Sequence, residues 1–220
     1  YNIHHGEGMD KKMDVERIGK LILQVNPEVA GLQEVDSMVR RSGQIDILKL
    51  LAEQTGMHPT FGYSILYDGG KYGNGILTRE KPRSVKKIAL PGEKEARTAL
   101  IVELDRYVVV NTHLSLNHEE RIESAKMINK AVRDFHKPVF LMGDLNATPG
   151  SEPMEIFKKE WKILSDPGIY TSPSVEPKVT LDYILGYTSN GRSFKTTQKK
   201  VIEEKIASDH RPLFVDVRIK

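Results

Sequence analysis

The sequence predicts one α/β domain of the α+β type, in which two mixed β-sheets carry helices on their outer sides. Three observations predict it. The 220 residues, 39% hydrophobic and 29% charged, have the balance of a globular chain with one large core. Helix-period and strand-like segments follow one another up to residue 54, after which residues 58–112 break into short strand-like runs separated by Gly, Pro and charged turns, the texture of an antiparallel meander. No repeat, low-complexity stretch or linker divides the chain, so residues 1–220 read as a single domain.

Each element has its own signal. Tyr1–His4 reads as the end of a strand and His5–Gly8 as a loop. From Asp14, a helix N-cap, Val15, Ile18, Leu21, Ile22 and Val25 fall on one helical face, and Asn26-Pro27 stops that helix. Glu28–Val35 is a strand. A second helix spans Gln44–Gln54, with Gly56 beyond its end. The short strands are His58–Leu66, Gly75–Thr78, Val85–Leu90, Thr98–Leu104 and Tyr107–Thr112. An amphipathic helix covers Glu119–Phe135, turning Ile122, Ala125, Ile128, Val132 and Phe135 inward. Pro138–Met142 is a buried strand, Pro153–Lys158 a short helix and Ser165–Pro177 a loop. Val179–Leu185, Lys199–Ile206 and Leu213–Ile219 are the last strands.

Composition excludes several classes. The net charge of +3 is too small to argue for nucleic acid, and the lysines at 195, 199, 200 and 205 are interleaved with Glu203 and Glu204, as on a solvated face. There is no cysteine, hence no disulfide, thiolate zinc site or cysteine nucleophile. No stretch approaches the roughly 20 apolar residues of a membrane span. The sequence opens within a strand, so the start of that strand and any export signal are expected upstream; a signal there would make the protein secreted or periplasmic.

One event recurs along the chain. A strand of core residues ends, and a small polar or acidic group stands at its tip: Asn2, Glu34, His113, Asp144 with Asn146, Asp182, and Asp209 with His210. Each has a bland explanation, such as an Asx turn at Gly143-Asp144-Leu145-Asn146 or an exposed acid at Glu34. Repetition at nearly every central strand makes coincidence a poor account of the set. If strand alternation continues past Gly143, Asp144 and Asn146 share one side and Leu145 returns to the core. Asp, Glu and Asn oxygens without thiolates suit a hard cation, Mg²⁺ or Mn²⁺. The histidines suit acid–base work and stabilisation of phosphate charge. No serine elbow, phosphate-binding Gly-Lys-Ser/Thr loop or His-Glu-x-x-His helix is present, so water is the natural nucleophile.

With these motifs in this order, the chain resembles the endonuclease/exonuclease/phosphatase superfamily over essentially its whole length. Asn2 matches the family's first-strand asparagine, Gln33-Glu34 its Gln-Glu motif, and Thr112-His113 its Thr-His motif. Gly143-Asp144-Leu145-Asn146 matches Gly-Asp-x-Asn, Asp182-Tyr183 the Asp-Tyr strand, and Ser208-Asp209-His210 the closing Ser-Asp-His. The resemblance implies a deoxyribonuclease I-like four-layer sandwich, two packed and largely antiparallel sheets flanked by helices. It implies a metal held by Glu34 with Asn2 and Asp209, water handled by Asp144, and phosphate positioned by Asn146. It further implies transition-state stabilisation by His210, held by Asp182, with His113 as a second phosphate ligand or as the acid for the leaving oxygen. His4, where apurinic-type relatives have an acid, and Asn74 and Arg97 are secondary candidates for substrate contact; each also has a structural reading.

The implied activity is Mg²⁺- or Mn²⁺-dependent hydrolysis of a phosphodiester or phosphomonoester. The substrate stays open between nucleic acid and a small phosphoester such as a lipid, inositol or sugar headgroup, because loops set it. Arg40 and Arg41 are the best basic candidates for phosphate contact outside the core site. A nuclease and a non-catalytic phosphate-binding module are the alternatives. No obligate protein partner is implied, and a monomer is expected.

Overall fold

The structure is a computed structural model that describes residues 1–219. Helix α1 (Val15–Val25) starts at Asp14, whose carboxylate accepts the Arg17 N–H at 2.9 Å, and stops at Asn26, which is left-handed. Strand β1 (Val29–Ser37) follows. Helix α2 (Ile47–Thr55) begins after Asp46, which caps it by accepting the Lys49 N–H, and not at Gln44. Strands β2 (His58–Tyr67) and β3 (Gly70–Thr78) form a hairpin, and β3 also pairs with β1, giving an antiparallel sheet ordered β1-β3-β2.

The chain then crosses to a larger sheet. Strands β4 (Ser84–Leu90), β5 (Arg97–Glu103) and β6 (Val108–His113) run antiparallel in sequence order. Helix α3 (His118–Val132), capped by Asn117, returns the chain so that β7 (Val139–Asp144) lies parallel to β6. After α4 (Glu152–Lys158) come β8 (Trp161–Ile163) and β9 (Asp182–Tyr187), and the sheet order is β4-β5-β6-β7-β9-β8. Strands β10 (Phe194–Val201) and β11 (Leu213–Ile219) form a separate antiparallel hairpin.

Strand alternation sorts the core into layers. Ala99, Ile101, Val108, Val110, Val139 and Leu141 pack on α3 and α4. Their neighbours Leu100, Val102, Val109, Phe140 and Met142 turn to the other face and meet Ile76 and Val29 of the small sheet. Leu32, Val35 and Leu77 face α1 and α2. The expected helix–sheet–sheet–helix order is therefore present. Asn111 ties the sheets together: its amide donates to the carbonyls of Leu32 and Gly75 at 2.8 and 2.9 Å, and its oxygen accepts from Gln33 Nε2 at 2.6 Å.

Several predicted boundaries move. Tyr1–His4 is no strand; a single parallel bridge joins Asn2 to Gln33, and His4–Gly6 form a tight 3-10 turn. Strand β3 begins at Gly70 because its glycine-rich start pairs along the hairpin, and β9 begins at Asp182, past Val179. β8 falls outside every predicted strand. β10 occupies residues 194–201, not 199–206, since its exposed, lysine-rich face hides the alternation. No helix among the described residues is long and apolar enough to cross a membrane.

Candidate active site

The site is assembled by strand register. His113 ends β6 and is paired with Asp144 at the end of β7, which is paired with Asp182 at the start of β9. Three polar residues thus stand in one row across the rim of the large sheet. Gly143 makes the row possible. It has φ +151, and a Cβ there would lie 1.9 Å from the Thr112 carbonyl oxygen of the adjacent strand.

Beyond Asp144 the strand ends. Leu145 is buried, as alternation requires, and Asn146 takes the left-handed conformation at φ +47. Its N–H bonds to Asp144 Oδ1 at 2.9 Å and its side-chain amide to the Leu114 carbonyl at 2.9 Å. The Asx turn and the site are the same object, because the turn is what brings both side chains to the cleft.

Glu34 arrives by a different device. The β1–β3 register jumps from Leu32↔Gly75 to Val35↔Gly73, so Gln33 and Glu34 together oppose Asn74. This bulge puts Glu34 at φ +59 and turns its carboxylate toward the rim of the large sheet. Asn2 closes the gap between the sheets: its Nδ2 donates to Glu34 Oε1 at 2.9 Å and to Asp144 Oδ2 at 3.2 Å, while its Oδ1 accepts the His4 N–H at 3.1 Å. Ser208 holds this corner, its Oγ donating to the Asn2 carbonyl at 2.8 Å, beside Asp209 at 3.2 Å.

Asn2, Glu34, Arg97, His113, Asp144, Asn146 and His210 line a cleft of about 410 Å³. Asp182 stands behind it and accepts from His210 Nδ1 at 2.8 Å. His4 and Asn74 do not line the cleft. His4 Nδ1 faces the Glu7 carbonyl at 3.1 Å, and the Asn74 amide donates to the Thr98 carbonyl at 3.0 Å, tying β3 to β5. Arg97 does line it, its Nη1 on Glu95 Oε1 at 2.9 Å and its buried Nε without a partner.

The two cleft histidines differ in charge. Burial lowers the affinity of His210 for its second proton, but the carboxylates of Asp182, Asp144 and Asp209 outweigh it and push the pKa up to about 10. Burial also acts on His113, where Asp144 only partly offsets it and Arg97 and His210 add to it; its pKa falls to about 4. At neutral pH an imidazolium and a neutral imidazole therefore flank Asp144 Oδ2, at 3.7 and 3.5 Å. Those separations exceed a hydrogen bond, so the three atoms are not closed on one another and stay able to contact a substrate or water atom on the cleft side. Burial raises the Glu34 carboxyl; the Asn2 bond opposes this, and Asp209 and Asp144 reinforce it.

The far wall of the cleft was not legible in the sequence. It is formed by the cross-strand pair Tyr72↔Ile65 of the small sheet, with Tyr67, Arg41 and Leu116. Arg41 binds buried Asp36 through two bonds of 2.8 and 2.9 Å, with its guanidinium over the rings of Tyr67 and Tyr72 at 4.7 and 5.3 Å. Arg40 pairs with Asp68 at 3.4 Å. Both arginines expected to meet phosphate are thus engaged within the protein. The only sequence signal for this wall was the density of tyrosines in residues 63–72, which does not say which face they take.

Residues 1–210 match the family described as Endonuclease/Exonuclease/phosphatase family. No curated protein matches. An endonuclease/exonuclease/phosphatase from Beutenbergia cavernae superposes with a TM-score of 0.82 at 22% identity, over 99% of this chain and 70% of that one. A mannosyl-6-phosphatase of Bacteroides thetaiotaomicron gives 0.73 at 16% identity, over 93% and 90%. The human Nocturnin catalytic domain, with bound sulfate, gives 0.73 at 19% identity, over 95% and 88%. At these identities the structural likenesses establish the fold.

Proposed function

The chain belongs to the endonuclease/exonuclease/phosphatase family, and on that premise we propose that it is a divalent-metal-dependent phosphoesterase. It hydrolyses a small phosphodiester or phosphomonoester by direct attack of water. The observation that carries this is the convergence of an imidazolium, a neutral imidazole and a carboxylate on one cleft, at Asp144 Oδ2.

The donors fit a hard cation. Glu34 and Asp209 offer carboxylate oxygens, and the charges acting on Glu34 are the carboxylates of Asp209 and Asp144 against one histidine, His4. Asn2 belongs to the same group; with its Nδ2 on Glu34 and Asp144, it also ties the metal-binding carboxylate to the water-handling one. Mg²⁺ or Mn²⁺ bound there supplies Lewis-acid polarisation of a phosphoryl oxygen. The remaining chemistry belongs to side chains. Asp144 Oδ2 orients the attacking water and takes its proton, with Oδ1 fixed by the Asn146 N–H. The His210 imidazolium, held by Asp182, stabilises charge on the phosphoryl oxygens. His113, neutral, donates to the phosphate, and Arg97 and Asn146 complete its cradle.

The cleft favours a small substrate. Its outer wall is aromatic and apolar, from Tyr67, Tyr72, Ile65 and Leu116, and its arginine Arg41 is committed to Asp36. A polynucleotide track would need free cations along it. Sugar phosphates, the substrate class named for the Bacteroides neighbour, head the panel to test.

The test is hydrolysis of p-nitrophenyl phosphate and bis-p-nitrophenyl phosphate, with sugar phosphates, phospholipids, DNA and RNA alongside, in Mg²⁺ or Mn²⁺. Turnover abolished by EDTA and by Asp144→Ala or His210→Ala is expected. Turnover indifferent to all three refutes the mechanism, and binding without turnover across the panel supports a non-catalytic module instead. Cleavage of DNA or RNA with intact small esters turns the assignment to a nuclease.

A further inference from the structure

Beside the hard-cation group lies a second cluster of different chemistry. His4, His5 and Glu34 each offer one ligand atom, and these atoms lie within 4.8 Å of one another. We propose that they form a separate position for a borderline transition ion, of which Zn²⁺ and Co²⁺ are the probes, sharing Glu34 with the hard-cation group.

Two imidazoles and one carboxylate are the donor set of a transition ion. Mg²⁺, which holds its water and prefers oxygen, is poorly served by it. Bonds of roughly 2.0–2.2 Å to each ligand place neighbouring donors about 3–3.5 Å apart, so a modest closure of the cluster completes the site. His4 is already set for the role. Its Nδ1 donates to the Glu7 carbonyl at 3.1 Å, which leaves Nε2 with its lone pair, the tautomer and orientation that metal-binding histidines are commonly given by a backbone carbonyl. The Nδ1 of His5 is buried and has no hydrogen-bond partner. In a protein interior such a nitrogen calls for an explanation, and a bound cation is one.

The backbone is built around the cluster. His4 and His5 both lie at φ +45 and Glu34 at φ +59, left-handed values that non-glycine residues enter only against strain. Consecutive left-handed residues turn the two rings to one side, with centroids 4.5 Å apart and planes tilted by 58°. Arg41 is the nearby charge that would oppose a cation, and its two bonds to Asp36 neutralise it. Nothing in the proposed phosphoester reaction uses His5.

The experiment is titration of the untagged, metal-stripped chain with Co²⁺ and Zn²⁺ in excess Mg²⁺, read by visible absorption and by calorimetry. One equivalent of Co²⁺ with ligand-field bands is expected, displaced by Zn²⁺. His5→Gln should weaken Zn²⁺ binding at least tenfold and remove the bands while circular dichroism stays native. If His5→Gln disturbs folding, His4→Gln gives the same readout. Asp182→Asn, which alters the separate group of Asp144, Asp182 and His210, should leave the Co²⁺ spectrum intact. No binding above Mg²⁺, an unchanged spectrum in both histidine variants, or a spectrum lost in Asp182→Asn alone overturns the proposal. Because the readout is binding, it stands or falls apart from phosphoester turnover.

Discussion

Asp182 accepts a hydrogen bond from Nδ1 of His210 at 2.8 Å, with both side chains buried. That contact fixes the ring with Nε2 toward Asp144 and supplies the largest opposition to the effect of burial on its charge. Asp182→Asn removes the charge and keeps the shape. The His210 pKa should fall from about 10 toward neutrality. Turnover should drop by about 10²–10⁴, and the alkaline limb of the pH–rate profile should move down with the pKa. NMR titration of the imidazole and the rate profile check the two halves. An unmoved pKa would show that Asp144 and Asp209 suffice.

The same pair makes stability depend on pH, with a definite sign. A histidine whose pKa is raised from 6.5 to about 10 on folding contributes stability that is complete below 6.5 and lost as pH climbs to 10. His113 acts in the other direction. Its pKa falls from 6.5 to about 4, so its contribution is present above 6.5 and lost as pH falls toward 4. Melting temperatures of the wild type and of His113→Gln at pH 7.5, 5.5 and 4.5 isolate this effect from the carboxylates. The wild type should lose more between pH 7.5 and 4.5 than the variant does; equal losses would place the acid sensitivity elsewhere.

Much of this arrangement was legible in the sequence, for a physical reason. Where a buried strand ends, the next side chain must leave the core, and a polar type there marks the rim. His113, Asp144 and Asn146 reach the cleft in this way, whereas Glu34 comes from the bulge inside β1 and His210 from the loop before β11, and Asp182 stands directly behind. What the sequence withheld depends on partners distant in the chain. Asn74 has the look of a site residue, yet it binds Thr98 across the sheets. Arg41 has the look of a free cation, yet Asp36 holds it. That His210 is charged and His113 neutral follows from which carboxylates surround each ring. β10 was displaced because an exposed strand has no apolar alternation to read.

Gly143→Ala tests the register that builds the row. At φ +151 an added Cβ meets the Thr112 carbonyl at 1.9 Å, so the β6 and β7 backbones must part. A loss of about 2–4 kcal/mol is expected in urea unfolding, from strain and lost ladder bonds. An unchanged midpoint would mean that the parallel pair yields without cost.

Asn111→Leu tests the tie between the sheets. Leucine has the same branched shape but is larger, and it leaves the Leu32 and Gly75 carbonyls and Gln33 Nε2 without partners in a buried position. About 3 kcal/mol should be lost. Since Gln33 precedes Glu34 in the bulge, activity should fall further than stability predicts at temperatures where the variant is still folded. Full specific activity of the folded fraction would show that the bulge holds itself.

Asp144→Asn separates chemistry from architecture. The amide keeps the size of the carboxylate and its oxygen can still accept the Asn146 N–H, so the turn survives. The negative charge that faces both histidines is lost, and with it the group proposed to take a proton from water. Turnover should collapse by at least about 10³, as expected when a general base and its charge are lost together. Stability at pH 7 reports two opposed changes. The His210 imidazolium loses one neighbour but keeps Asp182, while Glu34 is relieved of a like charge. A melting temperature close to the wild type, with the His210 pKa lowered and activity gone, is the expected combination. Retained turnover with the charge removed would assign water activation to another group, and Glu34 would be the next to test.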